Sequence, residues 1–301
     1  MRNISCSKIK SFFEDKFFQI SLPKDVIDTT TESLVEASLF GIDSHGVNLF
    51  FHYFECLRNG RVKKGNNIDF KVNKSFVKCN ANNNLANYAA RKLLSKLNTI
   101  SETYGIAFGT ITNSDHIGAV GIHGVNSQIK NKIILGFTNA DALAVSPDGK
   151  NVIFGTNPIS LVMNIDDELT YIDLATTKFS MNKVKNYRRE DSKLPDKVAR
   201  DINLKPTQDP FNTSFLEPIG EHKGFALAYL IEILTSGLSN QNNSINLMPM
   251  YGTDLKAQRG VSHTFFVINP EFIGFNTINS LKNTVLNTVQ NVSERQAELI
   301  P

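Results

Sequence analysis

The stretch that most restricts how this chain can fold is Ile106 to Gly124. Ile106–Ile111 is an apolar, β-branched run of strand character, followed at once by the polar turn residues Asn113, Ser114 and Asp115. His116 comes next, and from Gly118 onward Ala119, Val120, Ile122, Val125 and Ile129 recur with roughly helical spacing. With Ile133–Thr138 as the following strand, the order is β-α-β, which places the chain in the α/β class. An imidazole at such a junction stands where the unpaired N–H groups of a helix start favour negative charge. It serves equally well as a cap of the turn, and a single histidine does not separate the two readings.

The region before this unit reads as helical. Residues 8 to 20 place Ile9, Phe12, Phe13, Phe17, Phe18 and Ile20 among charged residues, and Pro23 marks the boundary with a second helix from about Asp25 to Phe40. A third, aromatic-rich helix runs from Leu49 to Leu57. The last two bracket the loop Gly41-Ile42-Asp43-Ser44-His45-Gly46. Short strands follow near 68–72 and 75–79, then an amphipathic helix from Leu85 to Thr103 with Leu93, Leu94, Leu97 and Ile100 on one face.

Beyond the central unit, Val152–Asn164 and Leu169–Leu174 read as strands around the acidic turn Asp166-Asp167-Glu168, and Asn182–Glu190 as a helix. Residues 191 to 220 hold four prolines and read as one long loop, a length usually kept for function. Lys223–Leu238 is apolar almost all round, the pattern of a helix buried in the core. Within it, Glu232 requires a partner or a raised pKa and reads as structural. Gln241–Asn246 is a polar loop without evident chemistry, Val261–Ile268 is a last strong strand, and the remainder to Pro301 is polar and weakly helical. The resulting division is an N-terminal helical region 1–67, an α/β domain 68–275 and a C-terminal segment 276–301.

At 301 residues the chain can bury a substantial core, and 41% hydrophobic with 20% charged residues is ordinary for a soluble protein. The formal net charge is only +3. The densest basic cluster, Lys183, Lys185, Arg188 and Arg189, reads as a solvated helix face rather than a nucleic-acid footprint. Cys6, Cys56 and Cys79 are odd in number and widely spaced, which supports neither a disulfide framework nor a zinc ribbon and fits a reducing cytoplasm. The N-terminus lacks the apolar core of a signal peptide, and the longest apolar run, Phe225–Leu234, is too short for a bilayer. A small molecule, rather than nucleic acid or membrane, is the expected partner, and no metal set is expected.

No GxGxxG follows a strand, and GxxxxGK[ST], HExxH and GxSxG are absent, so standard Rossmann and P-loop readings fail. Gly118, Gly121 and Gly124 form a GxxGxxG series that more often reports close helix packing. Three histidines instead stand beside glycine at helix boundaries: Asp43-Ser44-His45-Gly46, Asp115-His116-Ile117-Gly118 and Gly220-Glu221-His222-Lys223-Gly224. Backbone there can approach a ligand closely. Two compact turns, Ser146-Pro147-Asp148-Gly149 and Gly155-Thr156-Asn157-Pro158, are candidates for lining the same cleft.

Taken together, these stretches resemble the NAD(P)-dependent malate/lactate/sulfolactate dehydrogenase family of non-Rossmann type, whose members include ureidoglycolate dehydrogenase, diketogulonate reductase and piperideine-2-carboxylate reductase. The matching segments are Gly41–Gly46, Asn113–Gly121, Gly155–Ile159, Asp173–Thr177, Asn182-Lys183-Val184, Pro206–Pro210, His222–Leu227 and His263–Pro270, in the family's order over nearly the whole chain. The resemblance implies a sulfolactate-dehydrogenase-like nucleotide fold, with the helical region 1–67 contributing to the active site and 68–275 binding NAD(P). It implies hydride transfer between nicotinamide and C2 of a 2-hydroxy or 2-oxo acid. The alternatives are a cyclic imine or sugar-acid reductase of the same family, and a catalytically degenerate member that binds nucleotide without turnover.

Oxidising an alcohol needs a base, and an imidazole titrates near working pH. His116 is the expected proton-transfer residue, with His45 and Ser44 orienting substrate or completing a relay. By resemblance, cofactor contacts fall to Asn139, Asp173, Leu174, Ala175, Thr176, His222 and Lys223, and substrate contacts to Ser44, His52 and Asn157. Arg188 and Arg189 are either partners of a 2′-phosphate or solvated charges, so both NAD and NADP stay open. A homodimer in the cytoplasm is expected.

Two departures from the family stand out. Where many relatives carry an arginine after Ser-His-Gly, a bidentate clamp for a carboxylate, this chain has Asn48, Leu49, Phe50, Phe51 and His52. It also ends at Leu299-Ile300-Pro301, about where relatives continue, so any dimer contact made by such a tail is expected to be lost.

Overall fold

A computed structural model describes residues 4–251, 254–274 and 276–295. Three helices come first: α1 (Cys6–Gln19), α2 (Lys24–Leu39) and α3 (Phe50–Asn59). Their apolar faces meet in one cluster built on Phe13, Phe17, Val26, Leu34, Phe50, Tyr53 and Leu57, with Phe13 and Phe50 stacked at 4.1 Å between ring centroids. Offset aromatic contacts of this kind add to the area they bury.

The hairpin β1 (Asp69–Asn73) and β2 (Phe76–Asn80) leads into α4 (Ala86–Tyr104) and β3 (Ile106–Ser114). Helix α4 lies so close over β3 that a Cβ on Gly109 would stand 2.7 Å from Leu93, whose side chain is fully buried with those of Leu94 and Leu97. Next come α5 (Val120–Asn126), β4 (Ile133–Thr138), β5 (Ala144–Val145), β6 (Val152–Phe154), β7 (Ile159–Ile165), β8 (Glu168–Leu174) and α6 (Met181–Arg189). Short β9 (Ala199–Arg200), β10 (Pro206–Thr207) and β11 (Phe215–Leu216) precede α7 (His222–Glu232), β12 (Val261–Ile268) and α8 (Thr277–Arg295).

The strands form two sheets, ordered β1-β2-β3-β12-β4-β7-β8 and β10-β9-β11-β5-β6. Strand β12 inserts between β3 and β4 and runs antiparallel to both. The expected β-α-β unit is therefore present with a strand from the far end of the domain in its middle. This is an α/β architecture with an N-terminal helical region and without a doubly wound parallel sheet: within the larger sheet only β2 and β3 pair in parallel.

Four expectations need correction. The run Val152–Asn164 is not one strand: it breaks at Gly155–Pro158, and its halves, β6 and β7, belong to different sheets. Pro158 lacks the donor a strand requires, and Asn157 adopts a positive φ of 25°. Residues 191–220 are not a structureless loop, since they supply β9, β10 and β11 of the smaller sheet. Strand β3 reaches Ser114, so Asn113 and Ser114 end the strand rather than open a turn.

The fourth concerns α7, which is buried on one face only, through Gly224, Ala228, Ile231 and Glu232. Leu227, Tyr229 and Leu230 are exposed, so its all-round apolar pattern does not mark a core helix. The polar C-terminal region forms α8 to Arg295, while Leu299-Ile300-Pro301 lie outside the described residues. No helix among the described residues is long and apolar enough to cross a membrane.

Two buried histidines link this core to pH. His123 in α5 bonds through Nε2 to the Ile117 carbonyl at 2.8 Å, and His263 sits between β3 and β4. Burial holds the first down at about 4 and the second at about 3. Both pKa values are depressed on folding, so the unfolded chain binds protons first as the solution acidifies. Stability should be full above about pH 6.5 and should fall as pH drops toward 4, read as a declining urea midpoint. A His123→Gln chain, whose amide can donate to the same carbonyl, should show a shallower acid slope; an unchanged slope would contradict this account.

Candidate active site

The Asp115-His116 turn lies at the end of β3, where the sheet meets α5. A Gly118 φ of +81° lets the chain double back at that point, beside the Tyr53 hydroxyl and the His45 carbonyl. His45 arrives from the loop between α2 and α3. The two imidazoles face one another with ring centroids 5.7 Å apart and planes 21° from parallel. Ser44 Oγ lies 2.8 Å from His45 Nδ1.

Two donors converge on His116 Nδ1: the Gly118 backbone N–H at 3.2 Å and the Tyr53 hydroxyl at 3.0 Å. A backbone N–H can only donate, so Nδ1 accepts and the neutral ring carries its proton on Nε2. Nε2 of both rings has no hydrogen-bonding partner among the described residues, and both residues line one cavity of about 280 Å³.

Burial pushes the His116 pKa well below the usual value, and His45, Arg259, His52 and His263 push it further. Burial alone brings His45 to about 4. His52 is also brought to about 4, by burial first, against an opposing pull from Asp115. All three imidazoles are therefore neutral at pH 7. Tyr53 is held protonated, its pKa raised well above 10 by burial and by Asp115.

Beneath the turn sits a buried ion cluster. Asp115 Oδ1 accepts the His116 backbone N–H at 2.6 Å and Arg259 Nη1 at 3.1 Å, while its Oδ2 is buried without a partner. Arg259, 3% exposed, also pairs through Nη2 with Asp141 and donates from Nε to the Met248 carbonyl at 2.8 Å. His263 completes the support. Its Nε2 lies 3.1 Å from the Asp115 carbonyl oxygen and its Nδ1 lies 2.7 Å from Thr138 Oγ1. The far wall, Pro249-Met250-Tyr251, is fixed by Arg61, which is 1% exposed and donates to the Met250 and Asp254 carbonyls.

Of the residues singled out from sequence, His116, His45 and Ser44 converge here. His52 lines a smaller neighbouring space of about 100 Å³ with Ser44, Lys185 and Tyr251. Asn139 lines the main cavity, with its own amide engaged by the Asn242 carbonyl and the Ser262 N–H. Asp173 accepts from Gly121 N at 2.8 Å and from the Tyr171 hydroxyl at 3.0 Å, which anchors the start of α5; burial raises its pKa. Thr176 is fully buried and donates to the Thr156 carbonyl, and Thr156 lines the cavity. Leu174 is exposed, and Ala175 is half-buried beside it.

His222 and Lys223 are exposed at the start of α7, outside the cavity lining. Asn157 is fully buried and bonds Glu232, the Ala228 carbonyl and the Ala140 N–H. Glu232 thus has the partners it needs, with Ser236 and Ser244 completing its shell. Ser244 comes from the polar loop that the sequence left without chemistry.

Sequence reasoning missed Tyr53, Arg259, Asp141, Lys185 and Tyr251 as site residues. Tyr53 directly follows His52 in an aromatic run that reads as core, and no spacing ties Arg259 to Asp115, 144 positions away. No cluster among the described residues could hold a metal ion.

The chain matches the malate/L-lactate dehydrogenase family over residues 4–299 and belongs to it. It is 31% identical over 213 residues to malate/(S)-sulfolactate dehydrogenase of Methanothermus fervidus, a match covering 69% of this chain and 62% of that one. It is 28% identical over 273 residues to the NAD(+)-dependent ureidoglycolate dehydrogenase of Escherichia coli K12, covering 89% and 77%. Among solved structures, delta1-piperideine-2-carboxylate reductase from Pseudomonas syringae superposes with a TM-score of 0.88 at 24% identity, covering 99% of this chain and 91% of that one. That likeness shows a shared fold.

The buried ion cluster generates a prediction. Arg259→Met leaves two buried carboxylates without their cation and should cost about 3–5 kcal/mol of stability, read by urea unfolding. A loss below about 1 kcal/mol would show that the cluster is not what holds this corner together.

Proposed function

We propose that the chain is an oxidoreductase that exchanges a hydride between NAD(P)H and C2 of a 2-oxo or 2-hydroxy acid, with His116 moving the proton. The observation that carries this reading is the convergence of His45 and His116, 5.7 Å apart, on one cavity. Ile117, Leu143, Pro158, Met250 and Val261 give that cavity apolar walls, and Gly118 leaves it unobstructed where a side chain would project. A flat nicotinamide ring fits such a lining. At about 280 Å³ the space is at the lower end for a ligand pocket, so it suits the reacting end of the cofactor with a small acid. The cofactor, when bound, supplies or accepts the hydride.

The remaining chemistry belongs to the chain. In the oxidation direction His116 Nε2 must present a lone pair, so the ring must carry its proton on Nδ1. That tautomer needs the Tyr53 hydroxyl, 3.0 Å away, to turn from donating to accepting and the Gly118 N–H, 3.2 Å away, to give up its bond to Nδ1. His45, held by Ser44, then orients the substrate oxygen. Asn139, Asp173, Leu174, Ala175, Thr176, His222 and Lys223 are proposed on the cofactor side, and Ser44, His52 and Asn157 on the substrate side.

Region 1–67 closes the cleft by carrying His45 and Tyr53. The exposed apolar residues of α7, Leu227, Tyr229 and Leu230, support a homodimer, and the unpaired thiols of Cys56 and Cys79 support a cytoplasmic setting.

The test is a panel of 2-oxo acids and cyclic imines with NADH and NADPH, followed by nicotinamide absorbance. Turnover of a 2-oxo acid is expected; NADH binding without turnover of any compound would return the degenerate reading. His116→Ala should cut turnover by about 10²- to 10⁴-fold, and unchanged turnover would remove His116 from the mechanism. Because burial lowers the His116 pKa, oxidation should persist below pH 6.5 and decline only as acid charges the ring. A loss of oxidation centred on 6.5 would contradict that assignment.

A further inference from the structure

We infer that Lys185 is the cation that receives the substrate's carboxylate, and thereby the residue that selects acids over their neutral analogues. This assignment rests on the oxidoreductase reading above. A 2-oxo acid carries its carboxylate beside the reacting carbon, and a carboxylate drawn into a cavity needs a cation to meet it. Three cationic side chains line the cavity that His45 and His116 share: Arg259, Arg188 and Lys185.

The first two are already engaged. Arg259 faces Asp115 and Asp141 and donates to the Met248 carbonyl. Arg188 is turned to the 191–220 segment, donating from Nε to the Pro210 carbonyl at 2.7 Å and from Nη2 to the Thr213 carbonyl at 3.3 Å. Lys185 has no carboxylate or carbonyl partner among the described residues. Its ammonium stands over the Tyr251 ring, 2.9 Å from the centroid. An aromatic face holds a cation in place without neutralising it.

Tyr251 is itself fixed relative to the imidazoles. Its hydroxyl donates to Asn182 Oδ1 at 2.7 Å, and Asn182 Nδ2 donates to the carbonyl of Ser44, the residue before His45, at 2.6 Å. Lys185 borders both the main cavity and the smaller space beside His52. It therefore supplies, from α6, a positive charge that the Asn48–His52 stretch lacks.

Arg188 and Arg189 on its own helix, His52 on α3, and Asp141, Arg259 and the two imidazoles around the cavity are the charged and titratable groups in its surroundings, with Tyr251 beneath it. Burial first, and then Arg188 and Arg189, bring the Lys185 pKa down to about 8. The ammonium is thus present at neutral pH and lost above it, so affinity for an anion should fall as pH rises through about 8.

The test compares Lys185→Gln and Lys185→Arg with the unaltered chain, using the 2-oxo acid turned over best and its primary amide. In Lys185→Gln, KM for the acid should rise about ten- to hundredfold while kcat changes by less than about threefold, the pattern of a lost ground-state contact. The preference for acid over amide should collapse with it. In Lys185→Arg, whose charge persists, KM should return to within about fivefold at pH 7 and no longer climb above pH 8.

An unchanged KM for the acid in Lys185→Gln would overturn the assignment while leaving the oxidoreductase reading intact. A rise in KM for NADPH alone would also overturn it, giving Lys185 to the cofactor phosphates. If the unaltered chain reduces no 2-oxo acid, both fall. Should Lys185→Gln fail to fold, the Lys185→Arg profile decides: an alkaline rise in KM that survives would refute the role.

Discussion

The arginine at position 259 is the interaction on which the rest of this site depends. It is buried, and it joins three parts of the chain: the turn after β3 through Asp115, the loop after β4 through Asp141, and the 248–251 wall through the Met248 carbonyl. A guanidinium out of water is costly unless its donors are matched, and its fork geometry suits two carboxylates at once. The insertion of β12 between β3 and β4 makes the meeting possible, because Arg259 lies two residues before that strand. The sheet order thus sets the ion cluster, and the cluster sets the turn that carries His116.

What the turn holds is an imidazole kept neutral. Burial is the main cause, and His45, the Arg259 guanidinium, His52 and His263 act in the same direction. The carboxylate beneath it offers no direct contact to the ring: Asp115 takes the His116 backbone N–H and leaves the side chain to Tyr53 and Gly118. His116 therefore differs from a histidine whose Nδ1–H is clamped by a carboxylate. A tyrosine hydroxyl can donate or accept, but the Gly118 N–H can only donate, so the resting ring is held with its proton on Nε2.

Much of this was legible in the sequence where physical pattern is local. The β-branched run at 106–111, the leucine stripe of α4 and the glycine-flanked histidines led to the correct elements and to the pair His45 and His116. What was illegible depended on tertiary choice. An apolar helix reads the same whether it is covered by its own core or exposed, as α7 shows. The smaller sheet is made of strands of two or three residues, too short to leave a periodicity. Tyr53 lies in an aromatic run that packing alone explains, and its hydroxyl became part of the site only through the register of α3 against the β3 turn. Arg259 and Lys185 were visible as charges, but which of them has counter-ions is decided by folding.

The central claim is that the fold holds the His116 ring neutral at pH 7, with its proton on Nε2 and Nδ1 accepting. The most direct test is long-range proton–nitrogen NMR of the histidine side chains, with His116 assigned by substitution. The account predicts the pattern of the Nε2–H tautomer at pH 7, unchanged as pH is lowered through 6.5. A ring that titrates near 6.5, or one that carries its proton on Nδ1 in the resting protein, would contradict it.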